Sequence, residues 1–212
     1  MTDANAAAAR QPGESNDVYR DRILAEITSG SLAAAGPTRL DLSGLGISRL
    51  PDEIGTLSTL EFLNLGKNPL STLPATFAGL TSLKILFFLG CEFTKVPEVL
   101  GSMKSLYMLS FKANKVEEVP AASIPYRTLG WLILSDNNIA CLPDTVGKCE
   151  NMRKLLLHTS VFSKYFPSIL KLVAWHPRTV RGAPCGLRSY GDGSEAIQEF
   201  IAFTFIHRTD AV

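Results

Sequence analysis

The chain has few of the residues that most often carry chemistry. It contains four cysteines and three histidines among 212 residues, and their spacing matches no zinc site or compact disulfide framework. Its 21 basic and 20 acidic residues nearly cancel, which argues against a phosphate-rich partner such as nucleic acid. No apolar run reaches the ~18 residues of a membrane span, and the first residues lack a signal-peptide core. We therefore expect a cytoplasmic protein with no membrane segment, metal or cofactor.

The chain has a fixed period instead. Five prolines, each preceded by an aliphatic residue, follow one another in steps of 23 residues: Pro51, Pro74, Pro97, Pro120 and Pro143. A column of leucines shares this step: Leu40, Leu63, Leu86, Leu109, Leu132 and Leu155. A constant period of this length predicts a stack of similar structural units.

The repeated unit reads L-x-x-L-x-L-x-x-N-x-L-x-x-L-P and is clearest from Leu60 to Leu80. The alternation L-x-L predicts a short strand with one buried side, and the later apolar positions close a coil around a shared core. Because one coil cannot bury its own apolar face, several must stack. We predict an α/β-type repeat solenoid: a leucine-rich repeat arc of about five 23-residue repeats with short parallel strands.

The ninth position of the unit predicts a structural ladder of polar side chains. A side chain there can hydrogen-bond the backbone groups that the end of each strand leaves open, which would otherwise be buried and unpaired. Cysteine offers fewer bonds than asparagine, so its rung should be weaker. The ladder residues are Asn68, Cys91, Asn114 and Asn137.

The first 36 residues divide into two predicted segments. Residues 1–14 are rich in alanine and polar residues and predict a disordered tail. Residues 15–36 predict a helical N-terminal cap, which begins at Ser15, Asn16 or Asp17 and can end at Gly30. A cap that covers the open end of the core is favoured over a helix that binds a partner.

The repeat register fails after Leu155, where Phe166 replaces the expected proline. We therefore assign residues 37–160 to the solenoid and residues 161–212 to a divergent, irregular C-terminal segment. Its apolar stretch from Ala196 to Ile206 mixes helical and alternating patterns, so its secondary structure stays open.

The side chains between the buried leucines point to the open face of the strands. The centre of this face is unusually apolar and should form one contiguous patch across adjacent repeats, which is typical of a binding surface. Alternatively, residues 161–212 fold back and cover it. The candidate partner-binding residues are Phe62, Ile85, Phe87, Met108, Trp131 and Ile133, and we call this set the apolar strand face.

The repeat unit resembles the intracellular leucine-rich repeats of the Ras-associated scaffold group and its plant relatives. The segments TLEFLNLGKNPLSTLP, MLSFKANKVEEVPAASIP and LGWLILSDNNI are similar to the repeats of leucine-rich-repeat protein kinase family proteins. That resemblance implies a kinase domain after the repeats. The sequence has no Gly-rich loop with a V-A-I-K-like strand, no H-R-D loop and no D-F-G motif to carry phosphoryl transfer.

These observations favour a non-catalytic protein-interaction module, an adaptor or scaffold in intracellular signalling. It would act as a monomer and bind a protein partner on the concave strand face. Two alternatives stay open. The chain could be a truncated or divergent relative of a leucine-rich-repeat kinase that lacks the catalytic domain, or it could be a structural protein that associates with itself.

Overall fold

The computed structural model describes residues 5–6, 8–157 and the backbone of 202–204. Its centre is a sheet whose first six strands are parallel and lie in chain order. Each of the first five strands pairs with the strand one repeat later, so Leu40 lies opposite Leu63 and Leu63 opposite Leu86. The six strands are β1 Arg39–Asp41, β2 Phe62–Asn64, β3 Ile85–Phe87, β4 Met108–Ser110, β5 Trp131–Ile133 and β6 Lys154–Leu156. The predicted solenoid of short parallel strands is confirmed.

A short 3-10 helix follows each proline of the 23-residue column and returns the chain on the opposite side of the coil. Four of these five turns bury an apolar side chain in the common core, such as Ile54, Phe77 and Leu100. The proline has a φ angle that suits the residue before such a turn, and its missing N–H is no loss there. The turns are η1 Asp52–Thr56, η2 Ala75–Gly79, η3 Glu98–Ser102, η4 Ala121–Ser123 and η5 Asp144–Lys148.

The core is one continuous column of buried apolar side chains that runs through all the described coils. At its centre, phenylalanines replace the leucines of the third core position. The Phe88 and Phe111 rings stack at 4.8 Å between centroids, and Phe93 meets the Phe111 ring edge-on at 5.1 Å. Offset and edge-on contacts of this kind are the favoured aromatic geometries.

The N-terminal cap consists of helix α1, Asn16–Ser29, and helix α2, Ser31–Ala35. Helix α1 begins where the sequence predicted, because the Ser15 hydroxyl accepts a hydrogen bond from the Val18 N–H at 3.3 Å. It ends at Gly30, whose φ of 78° lies in the left-handed region that glycine adopts without strain. Tyr19, Ile23 and Ile27 of α1 are buried in the same core as the repeat leucines.

At the other end of the sheet, strand β7, Ala202–Thr204, pairs antiparallel with β6. This pairing gives the strand that the mixed pattern of Ala196 to Ile206 left undecided. The rest of the predicted C-terminal segment, 161–212, lies outside the described residues. The alternative in which this segment covers the apolar strand face therefore stays a prediction. The boundaries of the four predicted segments stay predictions.

Part of the predicted tail, residues 1–14, packs against the cap. Ala8 is 5% exposed and its carbonyl accepts a hydrogen bond from the Tyr19 hydroxyl at 2.8 Å. The expectation of a disordered tail therefore does not hold for residues 8–14. The alanine-rich composition suggested disorder, but two specific contacts order this segment. Ala8 packs against Tyr19, and Glu14 pairs with Arg22 on α1.

Asn5 closes the free edge of β1 by imitating a preceding repeat. Between neighbouring coils, one backbone carbonyl accepts two consecutive N–H groups, as the Thr38 carbonyl does from Glu61 and Phe62. The first coil has no predecessor to supply such a carbonyl. The Asn5 side-chain oxygen takes its place and accepts the Thr38 and Arg39 N–H groups, each at 3.0 Å.

We expect Asn5→Ala to lower the free energy of unfolding by about 1 kcal/mol, because two N–H groups at the edge of β1 lose their acceptor. Asn16→Ala is the matched control, since the Asn16 amide makes only one long bond, 3.4 Å, to the Gly44 carbonyl. Urea unfolding of the two variants measures the difference. Equal midpoints at an unchanged slope would show that Asn5 does not cap the sheet.

Glu14 is tied to α1 by a two-pronged ion pair with Arg22. The two Arg22–Glu14 contacts measure 2.8 and 3.1 Å, and the Gln11 N–H donates to the same carboxylate at 3.0 Å. The hydrogen bond from Arg22, followed by the one from Gln11, lowers the pKa of Glu14 to about 2. The charged carboxylate thus binds the N-terminal segment to the cap.

A lowered folded-state pKa stabilises the fold above the unfolded-state pKa of 4.5 and loses this contribution as the pH falls through about 2. We therefore expect the wild-type protein to melt at a higher temperature than Glu14→Gln at pH 7. This difference should shrink between pH 4.5 and about 2. Glu53→Gln, at an exposed carboxylate of η1, is the control. A difference between wild type and Glu14→Gln that stays constant down to pH 2 would contradict the assignment.

Candidate functional site

The six residues of the apolar strand face lie on the open side of β2 to β5, where the sequence placed them. All six side chains are half-buried, so each presents part of its apolar surface to solvent. Four of them occupy the first position of successive strands and are direct register partners. This unbroken row is Phe62, Ile85, Met108 and Trp131.

The other two residues, Phe87 and Ile133, do not meet. They occupy the third position of β3 and β5, and Ser110 of β4 lies between them in the register. Ser110 is 6% exposed, and its hydroxyl accepts a weak hydrogen bond from the Lys112 N–H at 3.4 Å. The face is therefore one continuous apolar row beside a second row that a small polar residue interrupts.

Phe87 is nevertheless joined to the continuous row. Its ring meets the Phe62 ring edge-on, with the centroids 5.7 Å apart and the planes at 90°. Such a pair holds two half-exposed rings in fixed positions before any ligand arrives, which lowers the entropy cost of binding. The exposed Leu89 extends the apolar surface after β3.

A cation covers the aromatic residue at each end of the continuous row. The Arg39 guanidinium lies 4.1 Å from the centre of the Phe62 ring, and the Lys154 ammonium lies 4.8 Å from the centre of the Trp131 ring. Both distances are within the range of cation–π attraction. Neither residue is among the candidate partner-binding residues that the sequence predicted. The repeat step would have found them, since Arg39 stands one repeat before Phe62 and Lys154 one repeat after Trp131.

The turns after β1 to β5 each have a residue in the left-handed region at the same repeat position. Glycine occupies this position at Gly44 and Gly90, but Lys67, Ala113 and Asp136 also adopt φ values of 55° to 59°. The polar side chains at these turns border the apolar strand face on one side. There, Lys112 and Asp136 form a long ion pair of 3.9 Å.

The predicted ladder residues hydrogen-bond to the backbone of these turns. The Asn137 amide donates to the Phe111 and Leu134 carbonyls at 2.9 and 2.8 Å and accepts from the Val116 N–H at 3.0 Å. Asn68 and Asn114 make the equivalent bonds one repeat or more away. Cys91 donates only one bond, to the Leu65 carbonyl at 3.2 Å, so its rung is the weaker one. These side chains shape the turns and do not face a ligand.

The two buried cysteines, Cys91 and Cys149, are poor candidates for a reactive site. Burial raises the pKa of the Cys149 thiol to about 12 and also raises the pKa of Cys91. A thiol of raised pKa is protonated at neutral pH and is a poor nucleophile or metal ligand. Within residues 5–6 and 8–157, no three histidine, cysteine or acidic side chains stand close enough to hold a metal ion.

Residues 39–121 match the family described as "Leucine-rich repeat region". No curated protein sequence matches the chain. Among solved structures, the chain is similar to TLR13 in its complex with ssRNA13, with 28% identity over 66% of this chain and a TM-score of 0.58. It is also similar to PEPR1 in its complex with AtPEP1, with 28% identity over 60% of this chain and a TM-score of 0.51.

Together with the parallel sheet, these findings show that the protein contains a leucine-rich repeat solenoid. The chain spans only 20% of the length of the TLR13 chain and 19% of the PEPR1 chain. The family match concerns the repeats alone and gives no support for a kinase domain. Among the described residues, no helix is long and apolar enough to cross a membrane.

Proposed function

We propose that this leucine-rich repeat solenoid is a protein-interaction module, an adaptor or scaffold in intracellular signalling, that binds its partner on the apolar strand face. The observation that carries this proposal is the continuous row Phe62, Ile85, Met108 and Trp131. In a solvated sheet, polar side chains would occupy these positions. Burying large, partly ordered apolar side chains against a partner releases water at little cost in side-chain entropy.

A binding role fits the chemistry of the described residues better than a catalytic one. The two buried thiols are held in the protonated state. The side chains of the ladder asparagines hydrogen-bond to backbone groups, as Asn137 does. The face itself offers packing surface and two cations, which suit recognition and supply neither a nucleophile nor a general base.

A protein partner is favoured over RNA, although TLR13 is seen in a complex with ssRNA13. Binding to a nucleic acid backbone requires several Lys or Arg residues that neutralise phosphates. Here the two cations at the ends of the row are separated by four apolar residues. The whole chain carries a formal net charge of only +1.

A reducing compartment and a monomeric state are part of the proposal. Cys91, Cys141 and Cys149 are all free thiols, and Cys141 is exposed. An exposed free thiol is unusual in an oxidising compartment, where it would pair. This observation supports a cytoplasmic location.

Photo-cross-linking from defined positions tests the proposal. Benzoylphenylalanine is placed at Met108 or Ile133 on the face, or at Glu117 or Lys115 on the connecting side, and each protein is irradiated in extract of the source cells. We expect both face positions to capture the same protein and the two control positions to capture none. Capture from the control positions alone would place binding elsewhere, and a captured species that nuclease removes would identify RNA as the partner.

A further inference from the structure

The first strand positions form a row with a symmetric order of side chains. Going along the solenoid, the order is cation, aromatic, aliphatic, aliphatic, aromatic, cation. The backbone register of β1 to β6 places these residues side by side. The six residues are Arg39, Phe62, Ile85, Met108, Trp131 and Lys154.

The two terminal cations are positioned but not neutralised. Neither forms an ion pair in the part of the chain that the structure describes, whereas Lys84, Lys95 and Arg22 each pair with a carboxylate at 2.8 to 3.0 Å. The Arg39 guanidinium carries five N–H donors and the Lys154 ammonium carries three, so contact with one ring does not use all the donors of either cation. Each end of the row therefore offers hydrogen-bond donors to an anionic group beside an apolar surface.

A groove of about 440 Å³ opens beside Arg39, between the N-terminal segment and the strand face. Arg10, Tyr19, Asp41 and Phe62 also line it. The Asp41 carboxylate is engaged by the Ser43 N–H at 3.0 Å and by the Asn64 amide at 3.2 Å. The groove gives a side chain room to approach the Arg39 guanidinium.

We propose that the partner presents an extended apolar peptide segment with an acidic side chain at each end, one for Arg39 and one for Lys154. This inference rests on the proposed function and specifies the chemistry of the partner. The apolar side chains of the segment pack on the four central residues of the row. Its two carboxylates accept hydrogen bonds from the terminal cations, whose charges they neutralise.

The geometry sets the spacing of the two acidic residues. Neighbouring strands lie about 4.8 Å apart, so the row measures roughly 24 Å between its ends and roughly 14 Å between its aromatic residues. Because each cation leans inward over its ring, the charges lie between these limits. An extended peptide advances about 3.3 Å per residue, so two acidic residues six positions apart span about 20 Å. An even separation also places both side chains on the same side of the peptide.

The test uses two blocked nine-residue peptides that carry a fluorescent label and leucine at positions 4 and 6. One has glutamate at positions 2 and 8, the other has glutamine there, and the remaining positions are serine. Fluorescence anisotropy measures their binding to the full chain at low salt. We expect the glutamate peptide to bind about tenfold more tightly, and we expect this preference to vanish near 1 M salt, where charges are screened.

Variants at the ends of the row assign the effect. Arg39→Gln and Lys154→Gln should each reduce the preference for the glutamate peptide about threefold, and the double variant should abolish it. Lys115→Gln is the control, because Lys115 is exposed outside the row and lies 3.9 Å from Glu92. Melting temperatures of all variants establish that they are folded.

Several results would overturn the inference. Equal binding of the two peptides, lost in Trp131→Ala, would keep the strand face as the binding surface and reject the acidic ends. Binding of neither peptide would reject this partner chemistry, while the cross-linking experiment would still decide the proposed function. Two further measurements then identify another occupant. If the wild-type chain has the mass of a dimer and Trp131→Ala has the mass of a monomer, a second copy of the chain occupies the face. The Trp175→Phe variant leaves Trp131 as the single tryptophan of the chain. If acrylamide does not quench the fluorescence of Trp131 in this variant, other residues of the same chain cover the face.

Discussion

Replacing Asn68 with alanine is expected to lower the free energy of unfolding by about 3 kcal/mol or more. The side chain is 2% exposed and bonds backbone groups on two neighbouring coils. Its amide donates to the Leu42 and Leu65 carbonyls, both at 2.8 Å, and its oxygen accepts from the Leu45 and Ile47 N–H groups at 3.1 and 3.0 Å. Alanine leaves these buried groups unpaired, and each such group costs about 1–3 kcal/mol before the coil relaxes.

Two matched variants isolate this effect. Asn151→Ala removes an exposed asparagine whose amide makes one bond, 2.7 Å, to the Arg127 carbonyl, and it should cost well under 1 kcal/mol. Cys91→Ala removes the weaker rung of the same ladder and should fall between the two asparagine variants. Urea unfolding gives the order. If Asn68→Ala and Asn151→Ala have the same midpoint and slope, the ladder does not hold the coils together.

A second large effect is expected at Gly101, where the backbone of the next turn leaves no room for a side chain. A Cβ atom added there would lie 1.7 Å from the Ala122 carbonyl oxygen and 2.8 Å from its carbon. Both are backbone atoms of the next turn, η4, so no side-chain rotation can relieve the overlap. We expect Gly101→Ala to cost about 3 kcal/mol, because the two turns must separate and expose part of the core.

Gly147→Ala provides a control of opposite sign. Gly147 occupies the matching position of η5, but no described atom lies within 4 Å of an added Cβ. The substitution should be neutral or stabilise slightly, because alanine reduces the entropy of the unfolded chain. Thermal unfolding of both variants tests the expectation. A Gly101→Ala protein as stable as Gly147→Ala would mean that the turns are farther apart than described here.

Much of the fold could be predicted because the repeat period ties the whole array together. One register, Leu40 opposite Leu63, implies the parallel pairings from β2 to β6, and the proline column implies the turns between these strands. The helical cap was also predictable, since Ser15 and Gly30 act through local backbone geometry. Such features depend on interactions between residues that are close in sequence or one repeat apart, so the sequence alone can predict them.

The features that sequence reasoning missed depend on single side chains at the ends of the array. The Asn5 side-chain oxygen accepts the two N–H groups that a preceding repeat would otherwise bond. No pattern in the alanine-rich segment around Asn5 predicts this role. Arg39 stands one repeat before Phe62, but it is charged, so the apolar pattern that defines the strand face does not include it. Ser110 shows the reverse limit, because the face looked continuous in the sequence although its second row is interrupted at β4.

The central claim, that the apolar strand face binds a protein partner, is tested most directly by the affinity of Trp131→Ala for the captured partner. Trp131 is half-buried in the row, and Tyr126, which is 37% exposed and lies outside the strands, is the matched aromatic control. Titration calorimetry should show a loss of about 2 kcal/mol or more for Trp131→Ala and almost none for Tyr126→Ala. The claim would be contradicted if Trp131→Ala bound the partner with unchanged affinity but melted many degrees lower. Trp131 would then pack against other parts of the same chain instead of against a partner.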